Sequence, residues 1–120
     1  MEGEGQRDLR VRTKQFALRI IRLSSSLPKT DGAQVLGRQL LRSGTSVGAH
    51  YREAVRARST AEFVSKIEGG LQELEETVYW LELLEESGIV PHARLSDLSP
   101  EAGELTAIFV SSVKTAKKRR

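Results

Sequence analysis

Residues 59–88, STAEFVSKIEGGLQELEETVYWLELLEESG, decide the fold class of this 120-residue chain. Ser59 followed by Glu62 is a capping-box signature for the start of a helix, and Gly88 is the usual C-terminal stop. Between them, apolar residues are spaced by four or three positions, the narrow seam of a helix in a bundle or coiled coil. These residues are Phe63, Ile67, Leu71, Leu74, Val78 and Leu81.

Three more helices are predicted around this one. The first begins near Leu9 and ends before Pro28, because the residue that precedes a proline is pushed out of the α region. Thr30 or Asp31 can cap the second helix, which continues to about residue 57, and Ser99 can cap the last. The link at residues 57–59 is short, so the two central helices must run antiparallel.

We therefore expect an all-α fold, an antiparallel up-and-down four-helix bundle. The expected organisation is a flexible N-terminus at residues 1–7, the bundle domain at residues 8–116 and a basic C-terminal tail at residues 117–120.

The turn between the central helices also predicts their register. Facing residues should have numbers that add up to about 117, which places Gly48 opposite Gly69. Each glycine inside a helix costs ~1 kcal/mol relative to alanine. We therefore expect the glycines to serve a close contact between the two helices. The glycines of this expected contact are Gly44, Gly48, Gly69 and Gly70.

Composition excludes several classes of function. The chain has no cysteine, which rules out disulfides, thiolate zinc sites and cysteine nucleophiles. No segment approaches the ~20 apolar residues that span a bilayer, so we expect no membrane partner. The polar start does not resemble a secretory signal, and the expected location is the cytoplasm.

Charge is distributed unevenly along the chain. Residues 7–58 hold twelve arginines and lysines against three acids, whereas residues 60–87 hold eight glutamates against one lysine. The register places Arg42 near Glu75, so part of the asymmetry is expected to be neutralised internally. The remaining cations form either a solvated surface or a surface for nucleic acid, which needs only clustered positive charge. The candidate nucleic-acid-binding residues are Arg12, Arg19, Arg22, Lys117, Lys118, Arg119 and Arg120.

One polar cluster is a candidate for acid–base chemistry or metal binding. His50 lies on the same helical face as Ser46 and Glu53, and the register places it opposite Glu68. A di-iron bundle, however, needs Glu-x-x-His on two helices and two further glutamates, which the chain lacks. We interpret the four residues as a structural hydrogen-bonded cluster and expect no metal, no cofactor and no enzymatic activity.

Two stretches resemble a known family. Residues 39–54, QLLRSGTSVGAHYREA, are similar to the hallmark stretch of four-helix bundle proteins first noticed as reading frames in intervening sequences of bacterial 23S rRNA genes. Residues 75–88, EETVYWLELLEESG, resemble the third helix of the same family. The similarity covers roughly residues 8–115, although family members usually carry asparagine at the position of His50.

The resemblance implies an up-and-down bundle that assembles as a homo-oligomer, typically a pentameric ring. One branch of the family is the accessory protein of diversity-generating retroelements, a basic ring that binds nucleic acid and a reverse transcriptase. We therefore expect a non-enzymatic bacterial protein associated with RNA or DNA, or an accessory to an enzyme such as a reverse transcriptase. The alternative is a structural scaffold for protein–protein interaction.

Overall fold

Four long helices follow one another along the described part of the chain. The computed structural model describes residues 4–119, with side chains described from residue 8 onward. The elements are α1 (Glu4–Ser25), α2 (Asp31–Val55), α3 (Thr60–Glu86) and α4 (Leu98–Lys118), with a 3₁₀ turn at His92–Leu95 before α4. Because these elements are all helical across the described range, the predicted all-α fold class is confirmed.

Local capping signals position the ends of the two central helices. At the start of α3, the Ser59 hydroxyl accepts a hydrogen bond from the Glu62 backbone N–H at 3.1 Å, and the Glu62 carboxylate accepts one from the Arg58 N–H at 3.1 Å. Thr30 caps α2 by accepting from the Ala33 N–H. After α3, Gly88 has a φ of +79°, a left-handed conformation that glycine adopts without steric cost.

The outer helices have boundaries that differ from those expected. α1 begins at Glu4, so residues 4–7 are helical, while residues 1–3 lie outside the described part of the chain. α4 begins at Leu98, and its N-cap residue is Asp97 instead of Ser99. The same helix continues through Lys118 because nothing in residues 114–118 breaks it. The expected basic tail is therefore mostly the last turn of α4, and Arg120 lies outside the described residues.

The helices form a cyclic bundle of 48 × 22 × 19 Å in which each one packs on the next. Two hydrogen bonds define how α2 and α3 pack. The hydroxyls of Ser43 on α2 and Thr77 on α3 are 2.8 Å apart, and Glu53 on α2 lies 3.0 Å from Lys66 on α3. The residue numbers rise along α2 as they fall along α3, so the helices are antiparallel. The seam between α1 and α4 has the fewest contacts of the four.

The core lies on the common axis of the four helices. Tyr51 and Phe109 pack ring against ring inside it, with centroids 6.1 Å apart. Full burial of an aliphatic or aromatic side chain contributes ~1.5–3 kcal/mol, so this core supplies the main stabilisation of the bundle. Besides Tyr51, its largest side chains are fully buried: Phe16, Phe109, Ile20, Leu40, Ile67, Leu74, Leu84, Leu95 and Leu105. Among the described helices, none combines the length and apolarity needed to cross a membrane.

Candidate nucleic-acid interface

Arg12 is held by acidic side chains and is not a free surface cation. Its guanidinium donates to the Glu101 carboxylate through Nε at 3.1 Å and Nη2 at 2.7 Å. Glu104 and Asp8 add weaker ion pairs at 3.6 and 3.9 Å. The hydrogen bond with Glu101 raises the pKa of Arg12, although desolvation opposes the shift. Arg12 therefore joins α1 to α4, and the expectation that its charge is available to a ligand is wrong.

Arg19 and Arg22 remain available. Both line a pocket between α1 and the turn that precedes α4, and neither makes an ion pair with another described residue. Arg94, from the 3₁₀ turn, lines the same pocket. The sequence did not single out Arg94, because nothing local shows that the loop after α3 folds back onto the end of α1.

The cations at the end of α4 lie far from this pocket. Leu98 at the start of α4 lines the pocket, whereas Lys117 is nineteen residues further along the same helix, a rise of roughly 30 Å at 1.5 Å per residue. Lys117 is 3.8 Å from Glu68, and Lys118 and Arg119 are exposed. One chain therefore does not combine the two groups of predicted basic residues into a single surface.

A further set of cations is exposed on the outer side of α1 and α2. At about 100° per residue, Arg38 and Arg52 of α2 and its C-cap residue Arg56 lie within roughly 40° of one another on the solvent side of the helix. Arg52 is about 40° from Gly48, which faces α1. Lys14 follows Thr13, which contacts Gly48. None of the members of this set makes an ion pair with a described residue. We call the set the α1–α2 cationic face: Lys14, Arg38, Arg52 and Arg56.

Arg42 is neutralised by acidic side chains of the neighbouring helix, as its position in the sequence predicted. Arg42 of α2 forms ion pairs with Glu73, at 3.2 Å, and with Glu76 of α3, and its hydrogen bonds with these two residues raise its pKa. The expected partner was Glu75, which lies on the exposed side of α3 instead. Internal pairing thus neutralises Arg42, whereas the α1–α2 cationic face has no carboxylate partner among the side chains that the structure describes.

The expected polar cluster around His50 does not form. His50 Nε2 lies 3.9 Å from Glu73, while the Ser46 hydroxyl donates to the backbone oxygen of Arg42 at 2.7 Å. Glu53 instead hydrogen-bonds Lys66, which lowers the pKa of the Glu53 carboxyl.

The fourth expected member of the cluster, Glu68, pairs with Lys117. Because the four residues have separate partners, they are not one structural cluster. Among the described side chains, no group of three or more potential ligands is arranged to hold a metal ion.

The glycines do lie at close helix contacts, but not against one another. A Cβ on Gly44 would be 2.7 Å from Ile20, and one on Gly48 would be 3.2 Å from Thr13, so both face α1. The expected opposition of Gly48 and Gly69 is therefore wrong.

The glycines of α3 receive side chains from two other helices. The ring of His50 covers Gly69, where an added Cβ would lie 2.8 Å from its Cε1, and Phe109 of α4 packs on Gly70, where the distance would be 2.7 Å. Each glycine therefore makes room for one neighbouring side chain.

An apolar patch lies on the outer side of α2 and α3. Tyr79 is 52% exposed, and its ring centroid is 5.1 Å from that of the partly buried Trp80. In the antiparallel register that the Ser43–Thr77 hydrogen bond defines, Val35, which is 48% exposed, lies opposite residue 85, close to Leu83 along α3. We call these four residues the α2–α3 apolar patch: Val35, Tyr79, Trp80 and Leu83. Trp80 Nε1 has no hydrogen-bond partner among the described residues.

Comparison with known proteins identifies the family. The 23S rRNA-intervening sequence protein family matches residues 7–111. A crystal structure of a protein of unknown function from the S23 ribosomal protein family of Bacteroides thetaiotaomicron VPI-5482 superposes with a TM-score of 0.85 at 34% identity, covering 91% of this chain and 97% of that one. No curated protein matches the sequence. The chain belongs to the 23S rRNA-intervening sequence protein family, whose function is unknown.

Proposed function

We propose that this chain is a non-enzymatic, cytoplasmic protein that associates with RNA or DNA through the α1–α2 cationic face. The observation that carries the proposal is the charge left after internal pairing. Arg12 and Arg42 are neutralised by glutamates of α4 and α3, whereas the cationic face keeps its four charges.

The shape of this face suits backbone contact without base recognition. Two antiparallel helices present cations along their outer sides, and a phosphate backbone needs only clustered positive charge. Sequence reading would require a helix that enters a groove with side chains directed at base edges. The cationic face belongs to two packed bundle helices, so we expect little sequence preference.

We further propose that the chain assembles as a homo-oligomer, a pentameric ring. The α2–α3 apolar patch supports assembly, because exposed aromatic side chains such as Tyr79 gain stability when a second protein surface covers them. The family resemblance supports the ring and its number of subunits. A closed ring would repeat the cationic face around one axis and turn four charges per chain into a continuous band.

The biological role that fits these properties is that of an accessory to a nucleic-acid enzyme such as a reverse transcriptase. This part of the proposal is supported by the resemblance to the retroelement accessory branch and by the unpaired basic charge.

The polar residues near His50 each bind a different partner, which supports the non-enzymatic part of the proposal. A nucleophile and its base must lie within hydrogen-bonding reach of each other. The hydroxyl of Ser46 is committed to a backbone carbonyl, and the carboxylate of Glu53 is committed to Lys66.

Fluorescence anisotropy with labelled RNA and DNA across a salt series tests the proposal. On duplex DNA, log affinity should fall by about 0.9 per decade of salt for every phosphate contacted. Arg38→Gln and Arg52→Gln should each lower that slope by about 0.9 if each residue contacts one phosphate. Lys114→Gln, an exposed cation on α4, is the matched control and should leave the slope unchanged. Absence of binding at ~50 mM salt and micromolar protein would contradict the proposal.

The second candidate function is a structural scaffold for protein–protein interaction, which the α2–α3 apolar patch favours. It becomes the leading candidate if the protein forms stable oligomers in light scattering yet binds neither RNA nor DNA. The two functions therefore separate in one set of measurements on the same preparation.

A further inference from the structure

Three arginines line one small pocket at the end of α1. The pocket has a volume of about 210 Å³ and lies between α1, the 3₁₀ turn and the first residues of α4. It is lined by Arg19, Arg22, Leu23, Arg94, Asp97 and Leu98. The arginines come from two regions of the chain separated by more than seventy residues, so the fold brings them together.

The walls of the pocket are held in place by packing and hydrogen bonds. Leu23 and Leu98 belong to the buried core, so the apolar part of the lining is rigid. The Arg94 guanidinium donates through Nη2 to the Ser26 hydroxyl at 2.7 Å, and the Arg94 backbone N–H donates to the Pro91 carbonyl at 3.0 Å. Arg94 is therefore positioned by the end of α1 and by its own turn.

The pocket keeps an unbalanced positive charge. Three guanidinium groups and the single carboxylate of Asp97 give a net formal charge of +2. None of the three arginines forms an ion pair with a carboxylate among the described residues, and the nearby Glu101 is bound to Arg12. The N-terminus of α4 lies at this pocket, and the Asp97 side chain does not cap it. The positive end of the α4 dipole therefore adds to the positive charge of the pocket.

A phosphate monoester matches this charge better than an internal phosphodiester. A monoester carries about −1.5 to −2 near pH 7, whereas each backbone phosphodiester carries one negative charge. One guanidinium group can donate two parallel hydrogen bonds to two phosphate oxygens. Such charge-assisted hydrogen bonds are about twice as strong as those between neutral groups. We propose that the Arg19–Arg22–Arg94 pocket binds the terminal phosphate of a nucleic-acid strand, an assignment that rests on the proposed nucleic-acid association.

Paired oligonucleotides test the pocket separately from the cationic face. One strand carries a 5′-phosphate, a second carries a 3′-phosphate and a third carries hydroxyls at both ends, all with the same sequence and label. In anisotropy at fixed ionic strength, at least one phosphorylated strand should bind about fivefold more tightly than the unphosphorylated one. Arg22→Gln should abolish this preference. The matched control Arg52→Gln, on the α1–α2 cationic face, should weaken the binding of all three strands equally and keep the preference.

Each outcome has a defined meaning. Equal binding of the three strands by the wild-type protein would overturn the pocket assignment and leave the proposed nucleic-acid association standing. No binding of any strand would overturn the association, and with it the pocket's role at a strand end. Competition by adenosine 5′-monophosphate at the same concentration as the phosphorylated strand would assign the pocket to free nucleotides and contradict the strand-end assignment. Circular dichroism of Arg22→Gln should match the wild type, because Arg22 is exposed and its side chain makes no hydrogen bond or ion pair with the described residues.

Discussion

Gly103→Ala is expected to stabilise the bundle, whereas the same change at Gly70 should lose that gain or destabilise it. A Cβ on Gly70 would lie 2.7 Å from Cε2 and 3.2 Å from Cδ2 of Phe109. The Phe109 ring is fully buried beside Tyr51, so it cannot move aside into solvent. Around Gly103, in the exposed part of α4, an added Cβ would meet nothing within 4 Å.

Both substitutions gain stability from the higher helix propensity of alanine, but only Gly70→Ala also overpacks the core. Alanine improves on glycine inside a helix by about 1 kcal/mol at either position. Overpacking of a core costs ~1–3 kcal/mol and applies at Gly70 alone. Gly103→Ala should therefore stabilise by about 1 kcal/mol, and Gly70→Ala should be less stable than Gly103→Ala by ~1–3 kcal/mol, because the helix contribution cancels between the two variants.

Urea unfolding followed by circular dichroism measures this difference, at one protein concentration because assembly would also shift the transition. A third variant, Gly70→Ala with Phe109→Leu, removes Cε2, the ring atom nearest the added Cβ, and should lose less stability than the two single changes added together. The reasoning is refuted if Gly70→Ala is as stable as Gly103→Ala, since the edge of Phe109 would then not lie against Gly70.

Three other outcomes follow from the contacts. Arg12→Gln should lower the free energy of unfolding by ~1 kcal/mol, because its ion pair with Glu101 is only partly buried. In a double-mutant cycle with Glu101→Gln, measured by urea unfolding, most of this loss should appear as coupling energy between the two residues. The pKa of Glu53 is depressed, so its contribution to stability is present above the pKa of the unfolded state and is lost as pH falls through the folded one. In an NMR titration, Lys66→Gln should return that pKa towards the usual range for glutamate. Tyr79→Glu should lower the oligomer mass in light scattering, whereas an unchanged mass would show that the apolar patch is not the interface.

Features encoded by neighbouring residues were predictable from the sequence. Ser59 and Glu62 lie three positions apart, and the hydrogen bonds they make at the start of α3 depend on that spacing. The four-and-three spacing of apolar residues likewise predicted α3, because a helix repeats its buried face every 3.6 residues. Both signals lie within one continuous stretch of sequence, residues 59–81, and can be read without knowing how the helices pack.

The register between α2 and α3 was not predictable in this way. Ser43 was expected opposite residue 74, but it hydrogen-bonds Thr77. A bundle helix has two neighbours, and a repeat of small residues does not tell which neighbour it faces. Gly44 and Gly48 were assigned to the α3 contact, yet they receive Ile20 and Thr13 from α1. The predicted cluster around His50 depended on the same register, which placed Glu68 opposite His50, whereas Glu68 pairs with Lys117.

The basic surface shows why a count of charges does not locate a binding site. Arg12 looked equivalent to Arg19 and Arg22 because all three occur on one face of α1. Its partner Glu101 is 89 positions away, so only the packing of α4 on α1 reveals that Arg12 is neutralised. The 3₁₀ turn before α4 brings Arg94 to the pocket that Arg19 and Arg22 line, and none of the three forms an ion pair with a carboxylate in the described part of the chain. Two arginines that looked equivalent to Arg12 in the sequence therefore differ from it because of residues that are distant in the sequence.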